Sequence, residues 1–419
     1  MVRGWKQPAE SEMKMSTETN TNRRYAFNRM ELAGSLGDLG TLLPLSIGMI
    51  LINGLNPMGI FTAVGLFYIL SGLYFGVTSP VEPMKVVGAY AVATGVTAAQ
   101  IQASSLLLFI FLIVIGGTGI ITLFGRYIPT PVVRGVQMST GVLLVTQGVQ
   151  LMLGTSKFQA LHSAAEPYLT IQNVGGLPLG IIIGTTLGLL TLLLLENKRT
   201  PAALIVVGAG ALIGLLIGTH EGLQNLRIGF YLPEWLPYGF PAGADFSFAL
   251  IVLVLPQIPM TLGNAVIANA DLSIQYFPQK GHRVTYRALC ISMALANLGT
   301  FFLGGMPMCQ GAGGLASRYR FGARTAGSNL IIGALFLALA LFLGNHLLGV
   351  INLMPMAVLG ILLIFAGAQL SLTLGDMRTR KELFVPIIML GITLAVNLAA
   401  GFIAGIILAN LLKWDKLTI

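Results

Sequence analysis

Apolar residues run along this chain in blocks about as long as a membrane is thick, broken by short polar or glycine–proline stretches. A helical span needs about 20 apolar residues. Blocks of that kind lie at roughly 30–52, 57–77, 101–124, 132–153, 178–195, 201–218, 246–268, 286–305, 326–349 and 355–375. A shorter apolar pair follows at about 383–394 and 399–413. Two further stretches, 84–97 and 307–318, are too short or too glycine-rich to read as full spans. The pattern predicts an all-α polytopic membrane protein, and the topology turns on whether those two stretches cross.

Composition narrows the class. Charged residues make up 9% of 419, against roughly 25% in a soluble globular domain, so a water-soluble enzyme and a disordered chain are both excluded. The 52 glycines do not recur every third residue, which rules out collagen. In so apolar a chain they suit closely packed transmembrane helices. Cys290 and Cys309 are too few for a disulfide framework. Residues 1–27 are polar, with no apolar h-region, and read as a cytoplasmic tail rather than a signal peptide.

The net charge of +9 settles the two short stretches through the positive-inside rule. If both cross, 21 of the 24 Lys and Arg fall on one side, from the Arg3–Arg29 cluster through Arg126, Arg134, Lys198, Arg199, Lys280, Arg283, Arg287, Arg318, Arg320 and Arg324 to the last, Lys416. Only Lys157 and Arg227 fall opposite, and Lys85 is left within the membrane. Omitting 84–97 puts Arg126 and Arg134 outside and inverts every later loop, and omitting 307–318 exports Arg318, Arg320 and Arg324. The expectation is 14 transmembrane segments with both termini cytoplasmic, in the cell membrane. The positive charge is then a topology signal, and no nucleic-acid partner is expected. Fourteen reads as seven plus seven, about 28–218 and 240–419, joined by the proline-rich Tyr231–Pro237 loop. An odd number per half makes the second copy inverted. Pro83-Met84 and Pro307-Met308 stand at the head of the third segment of each half. Paired interrupted segments are the best sequence pointer to a transporter binding site.

Candidate chemistry concentrates there. Ser79–Lys85 holds Pro80, Glu82, Pro83 and Lys85 at membrane depth. Proline favours a first helical turn, so a short helix should begin at Met84 and aim its first amides at an anion. Lys85 adds a full charge; the structural alternative is a Lys85–Glu82 pair acting as glue. In the second stretch Pro307 should again start a helix, with Cys309, Gln310, Gly311, Ala312 and Gly313 at its head. The small residues let an anion approach the backbone, and Gln310 offers an amide donor; the structural alternative is a small-residue helix contact. Two facing half-helix ends and one lysine suit a small oxyanion, whereas a polyphosphate would want several cations. His162, His220, His282 and His346 are scattered, so no metal cluster is expected, and no nucleophile–base pair marks a hydrolase. Asp38, about a third of the way along the first span, is costly to keep charged there and is a candidate to pair with Lys85 or carry a proton. In the eighth span Gln257, Thr261, Asn264 and Asn269 share one face as substrate ligands or interhelical hydrogen bonds, with Pro256 and Pro259 marking a bend.

Val81-Glu82-Pro83-Met84-Lys85, the run Met306–Ala316 and the following Tyr319–Arg324 resemble the two signature motifs of the MOT1-type molybdate transporters, a branch related to the SulP sulfate permeases. The resemblance extends over about 25–415. The family pattern has Gln at Glu82, His at Gln310 and Gln at Arg318. The resemblance implies the inverted seven-plus-seven fold shared with SulP and uracil permeases. It implies a core of 28–127 and 245–349 that moves like an elevator against a gate of 128–218 and 350–419, with 219–244 as external linker. The expected function is secondary transport of a tetrahedral oxyanion, molybdate first and sulfate second. The substrate would be bound by Pro83, Met84, Lys85, Cys309–Gly313, Gln257 and Asn264, with protons coupled through Asp38 or Glu82. Membrane lipid is an expected partner, a homodimer is an open expectation, and no cofactor is expected. An anion channel and a nucleobase–proton symporter are the alternatives from other classes; the latter would place a carboxylate within the eighth span.

Overall fold

The structure is a computed structural model that describes residues 24–119, 129–194, 202–220, 223–224 and 226–412. Most of the expected tail, together with Arg126, Lys198, Arg199, Lys413 and Lys416, lies outside the described residues.

The chain is almost wholly helical. It begins with α1 (Arg29–Ser35), α2 (Leu39–Asn53) and α3 (Pro57–Phe75). A two-residue strand β1 (Glu82–Pro83) then leads into the short α4 (Lys85–Thr94), followed by α5 (Ala98–Thr118), α6 (Thr130–Leu153) and α7 (Lys157–Leu161). A small hairpin, β2 (Asn173–Val174) with β3 (Leu177–Pro178), precedes α8 (Leu179–Leu194) and α9 (Ala202–Ile217). The second part opens with one long helix, α10 (Gly243–Tyr276), then α11 (Tyr286–Leu303). A second strand, β4 (Met308–Cys309), leads into the short α12 (Ala312–Arg320). The chain closes with α13 (Gly327–Leu343), α14 (Leu347–Ile351), α15 (Met356–Ser371), α16 (Arg380–Ala395) and α17 (Leu398–Leu411).

Among the described residues seven helices are long and apolar enough to cross a membrane, eight if the pair α1–α2, bent by 41°, is one span. Helices α8, α9 and α17 are shorter apolar helices. The bend at Leu36–Asp38 frees backbone groups that side chains then use.

Local sequence explains the breaks. Asn56 caps α3 by accepting from the amides of Met58 and Gly59, with Pro57 at the favoured first position. Thr97 and Gln100 form a capping box on α5. Around Pro256 and Pro259, which lack an N–H to donate, α10 runs as π-helix on both sides, at Ala249–Val254 and Thr261–Ala268. Such stretches frequently mark functional sites. The helix is thus re-registered where a bend was expected. Helices α6 and α15 approach closely through glycine: Gly141 faces the Gly367 carbonyl and Gly148 faces that of Gly360, each pair seven residues further along its helix. Elsewhere α11 packs on α5 and α13 on α3.

Candidate anion site

β1 and β4 meet as an antiparallel pair, Glu82 opposite Cys309 and Pro83 opposite Met308. The Met84 amide donates to the Pro307 carbonyl at 2.8 Å. The two interrupted stretches, more than 220 residues apart in sequence, therefore join end to end, each strand feeding a short helix. Glu82–Pro83 is extended and the short helix follows from the Met84 cap, as expected, whereas Pro307 does not start its helix: the strand Met308–Cys309 intervenes and that helix begins only at Ala312.

In front of this junction lies a cavity of about 440 Å³. Asp38, Thr41, Glu82, Lys85, Asn264 and Gly313 line one side. Gln137 of α6, Thr191 of α8, Ala203 of α9 and Phe365 and Gln369 of α15 line the other, with Arg320 and Phe321 also in its wall.

Glu82 holds the centre. It is 1% exposed, its Oε2 sits 3.1 Å from Lys85 Nζ, and its Oε1 accepts a 2.8 Å bond from the Thr41 hydroxyl. Beyond the ion pair, Oε2 has no hydrogen-bond donor. A Cβ at Gly314 would come within 2.9 Å of Glu82 Oε1, and one at Gly311 within 3.0 Å of Asn264 Nδ2. The carboxylate therefore rests against the glycine-rich start of α12, which has no side-chain cap. A side chain there would displace it, which is the physical reason for glycine.

Several expected ligands are otherwise engaged. Gln257 Oε1 accepts from the amides of Val86 and Val87 at 2.9 and 3.2 Å, and its Nε2 donates to Thr261. Gln257 thus caps α4 from α10 and takes up the Val86 and Val87 amides at the helix end that was expected to face an anion. Gln310 is also engaged: its Nε2 donates to Ser79 Oγ at 2.8 Å and its Oε1 accepts from Ser292 at 2.7 Å. The Cys309 thiol donates to the Pro83 carbonyl at 3.6 Å. Pro83, Met84, Cys309, Gln310, Gly311 and Ala312 stand behind the cavity rather than in its wall. Lys85, Asn264 and Gly313 face it.

Asp38 does not pair with Lys85. Its Oδ1 is 3.1 Å from the guanidinium of Arg318, and its Oδ2 accepts from the Val81 amide at 3.1 Å. Arg318, expected among the cytoplasmic cations, is completely buried. It also donates to Thr78, Ser328, Asn329 and the Ser35 carbonyl freed by the α1–α2 bend, and lies 5.1 Å above the Tyr68 ring. A second cation besides Lys85 thus lies within the packed interior. A signal for Arg318 was present: it follows Gly314 by four residues and so shares the inward face of α12. Thr41, one turn after Asp38, was missed, as were the opposing Gln137 and Gln369.

A family model described as "Molybdate transporter of MFS superfamily" matches residues 30–144 and 249–370, which include both strands and both short helices. The chain is 30% identical over 413 residues to molybdate transporter 2 of Arabidopsis thaliana, covering 91% of this chain and 87% of that one. Among solved structures, the transmembrane domain of a cyanobacterium bicarbonate transporter, BicA, superposes with a TM-score of 0.62 at 17% identity, covering 91% of this chain and 98% of that chain. A murine Slc26a9 anion transporter in the inward-facing state superposes with a TM-score of 0.63 at 14% identity, covering 99% and 76%. At such identities the likeness is one of fold.

Proposed function

We propose, because the chain belongs to the family of molybdate transporters of the MFS superfamily, that it carries a tetrahedral oxyanion, molybdate first and sulfate second, across the membrane as a secondary transporter. The observation that carries this reading is the seat of the Glu82 carboxylate, between Lys85 Nζ and the glycine head of α12. An oxyanion entering the cavity would take that seat, with Asn264 and Gly313 beside it. Half-helix N-termini serve anionic groups in this way in other carriers.

The same seat supports proton coupling through Glu82. While ionised, Glu82 neutralises Lys85 and fills the place of the substrate. A proton on Glu82 would release Lys85, so oxyanion and proton would enter together. Asp38 is committed to Arg318 and is the weaker candidate. The energetics favour co-transport: an incoming dianion works against an inside-negative potential at about 2.3 kcal/mol per charge per 100 mV, twice over.

The wider architecture in this proposal is 14 segments in two inverted sets of seven, with α1–α5 and α10–α13 as the moving core and α6–α9 and α15–α17 as the gate. The cavity lies between these sets, which supports an elevator movement. It reaches Arg320, Phe321 and Thr373, at the end where the basic residues cluster; the positive-inside rule supports a cytoplasmic assignment for that end and with it an inward-open reading of the cavity. The test is uptake of labelled molybdate into proteoliposomes with sulfate, tungstate and uracil as competitors. Tungstate and sulfate should compete and uracil should not; competition by uracil alone overturns the reading. Lys85→Ala should abolish uptake, and retention of full affinity refutes the site.

A further inference from the structure

A second cavity lies on the far side of the strand junction, between α3 and α11. It has a volume of about 610 Å³, well within the range of ligand pockets, roughly 300–1,000 Å³. Its walls are apolar: Leu66, Leu70 and Tyr74 from α3 and Ile291 and Leu295 from α11, over a floor that includes Gly299. Leu70, Tyr74 and Leu295 are 61%, 60% and 57% exposed, so the groove opens outward from the helices that cross the membrane.

Its dimensions and ends are specific. The two helices run antiparallel, Gly59 lying against Leu303 while Tyr74 and Ala288 line the same cavity. From Ala63 to Tyr74 the groove is about 16 Å long at 1.5 Å per residue, close to one leaflet of a hydrocarbon core about 30 Å thick. One end is basic. Arg24 donates to the carbonyl of Leu73, a groove residue, and Arg287 is exposed immediately before Ala288. The groove also touches the machinery of the first site. Ser71 in its floor accepts from Asn329, whose Oδ1 accepts the Ser79 amide, and Ser292 in its floor donates to Gln310, whose Nε2 donates to the Ser79 hydroxyl.

We propose that this groove is a binding site for one anionic phospholipid, its acyl chain lying between α3 and α11 and its phosphate at Arg24 and Arg287. The length of one leaflet selects a single acyl chain, and the two arginines select a negative headgroup. A second copy of the chain would not need paired cations at the end of an apolar slot. Through the two hydrogen-bonded routes to Ser79, occupancy would brace the strand that carries Glu82.

The experiment is native mass spectrometry of the full chain in detergent, titrated with phosphatidylglycerol or with phosphatidylcholine of the same acyl chains. Wild type should retain one phosphatidylglycerol per chain and bind phosphatidylcholine at least tenfold more weakly. Gly299→Leu should fill the slot: no atom lies within 4 Å of a Cβ there, so folding is spared, and lipid retention should fall at least tenfold. The exposed pair Arg24→Gln/Arg287→Gln should bring phosphatidylglycerol down to the level of phosphatidylcholine. Equal retention of phosphatidylglycerol by wild type and Gly299→Leu overturns the site. Equal retention of the two lipids by wild type overturns the headgroup assignment. A wild-type dimer that Gly299→Leu converts to monomer would give the groove to a second chain instead. These readouts do not depend on transport, so they stand or fall apart from the proposed substrate.

Discussion

Replacing Arg318 by Met tests whether the buried pair with Asp38 is a structural fastening of α12 to the α1–α2 bend. Arg318 is completely buried, and its removal leaves the Asp38 carboxylate with two uncharged partners, the Val81 amide and the Tyr68 hydroxyl. Breaking a buried ion pair from one side costs about 3–5 kcal/mol, roughly two to three and a half decades in the unfolding constant. The other acceptors lose less. Thr78 and Ser328 bond each other at 2.9 Å, and Asn329 Oδ1 still accepts from Ser79. Chiefly the Ser35 carbonyl is orphaned, for about 1–3 kcal/mol. The double variant Asp38→Asn/Arg318→Met removes both charges and keeps only that smaller cost, so it should be more stable than Arg318→Met by about 2 kcal/mol. Unfolding of the detergent-purified protein by titration with sodium dodecyl sulfate, followed by circular dichroism, measures both. A double variant as unstable as Arg318→Met, or a single variant within about 0.5 kcal/mol of wild type, would refute the reasoning.

Glu82→Gln, which removes the proposed proton carrier beside Lys85, should keep oxyanion uptake and lose its dependence on external pH and its sensitivity to an uncoupler; an unchanged pH slope in proteoliposomes would assign coupling elsewhere. Gln257→Ala should uncap α4 and cost about 1–3 kcal/mol through the buried Val86 and Val87 amides, while Gln257→Glu, which keeps the acceptor, should cost less in the same unfolding titration. At the exposed start of α16, the backbone amides of Thr379 and Arg378 and the Thr379 hydroxyl hold the Glu382 carboxyl below its ordinary pKa of 4.5. A lowered folded pKa means stabilisation present above the ordinary value and lost as pH falls through the lowered one. The stability difference between wild type and Glu382→Gln should therefore shrink on acidification below that ordinary value, and a difference that grows would contradict the capping box.

The sequence by itself determined that this is a helical membrane protein and that the family is one of molybdate transporters, and it marked two interrupted stretches as the candidate site. Hydrophobic length, proline position and glycine runs are local properties, and each is visible in a window of some 20 residues. The pairing of Lys85 with Glu82, three residues apart, was legible for the same reason. What the windows did not contain was the partner of each remaining polar group. Asp38 finds Arg318 across 280 residues, Val86 finds Gln257 across 171, and Gln310 finds Ser79 across 231. Asp38 was read as a partner for Lys85 or a proton carrier, and Gln257 and Gln310 as candidate substrate ligands, because an unpaired polar group within a membrane must face something. Only the tertiary structure decided what that is: desolvation forces every buried donor and acceptor to find a partner, and the strand pair brought those partners within reach. Lys85, Glu82, Asn264 and the head of α12 remain at the cavity because the packing left their front open.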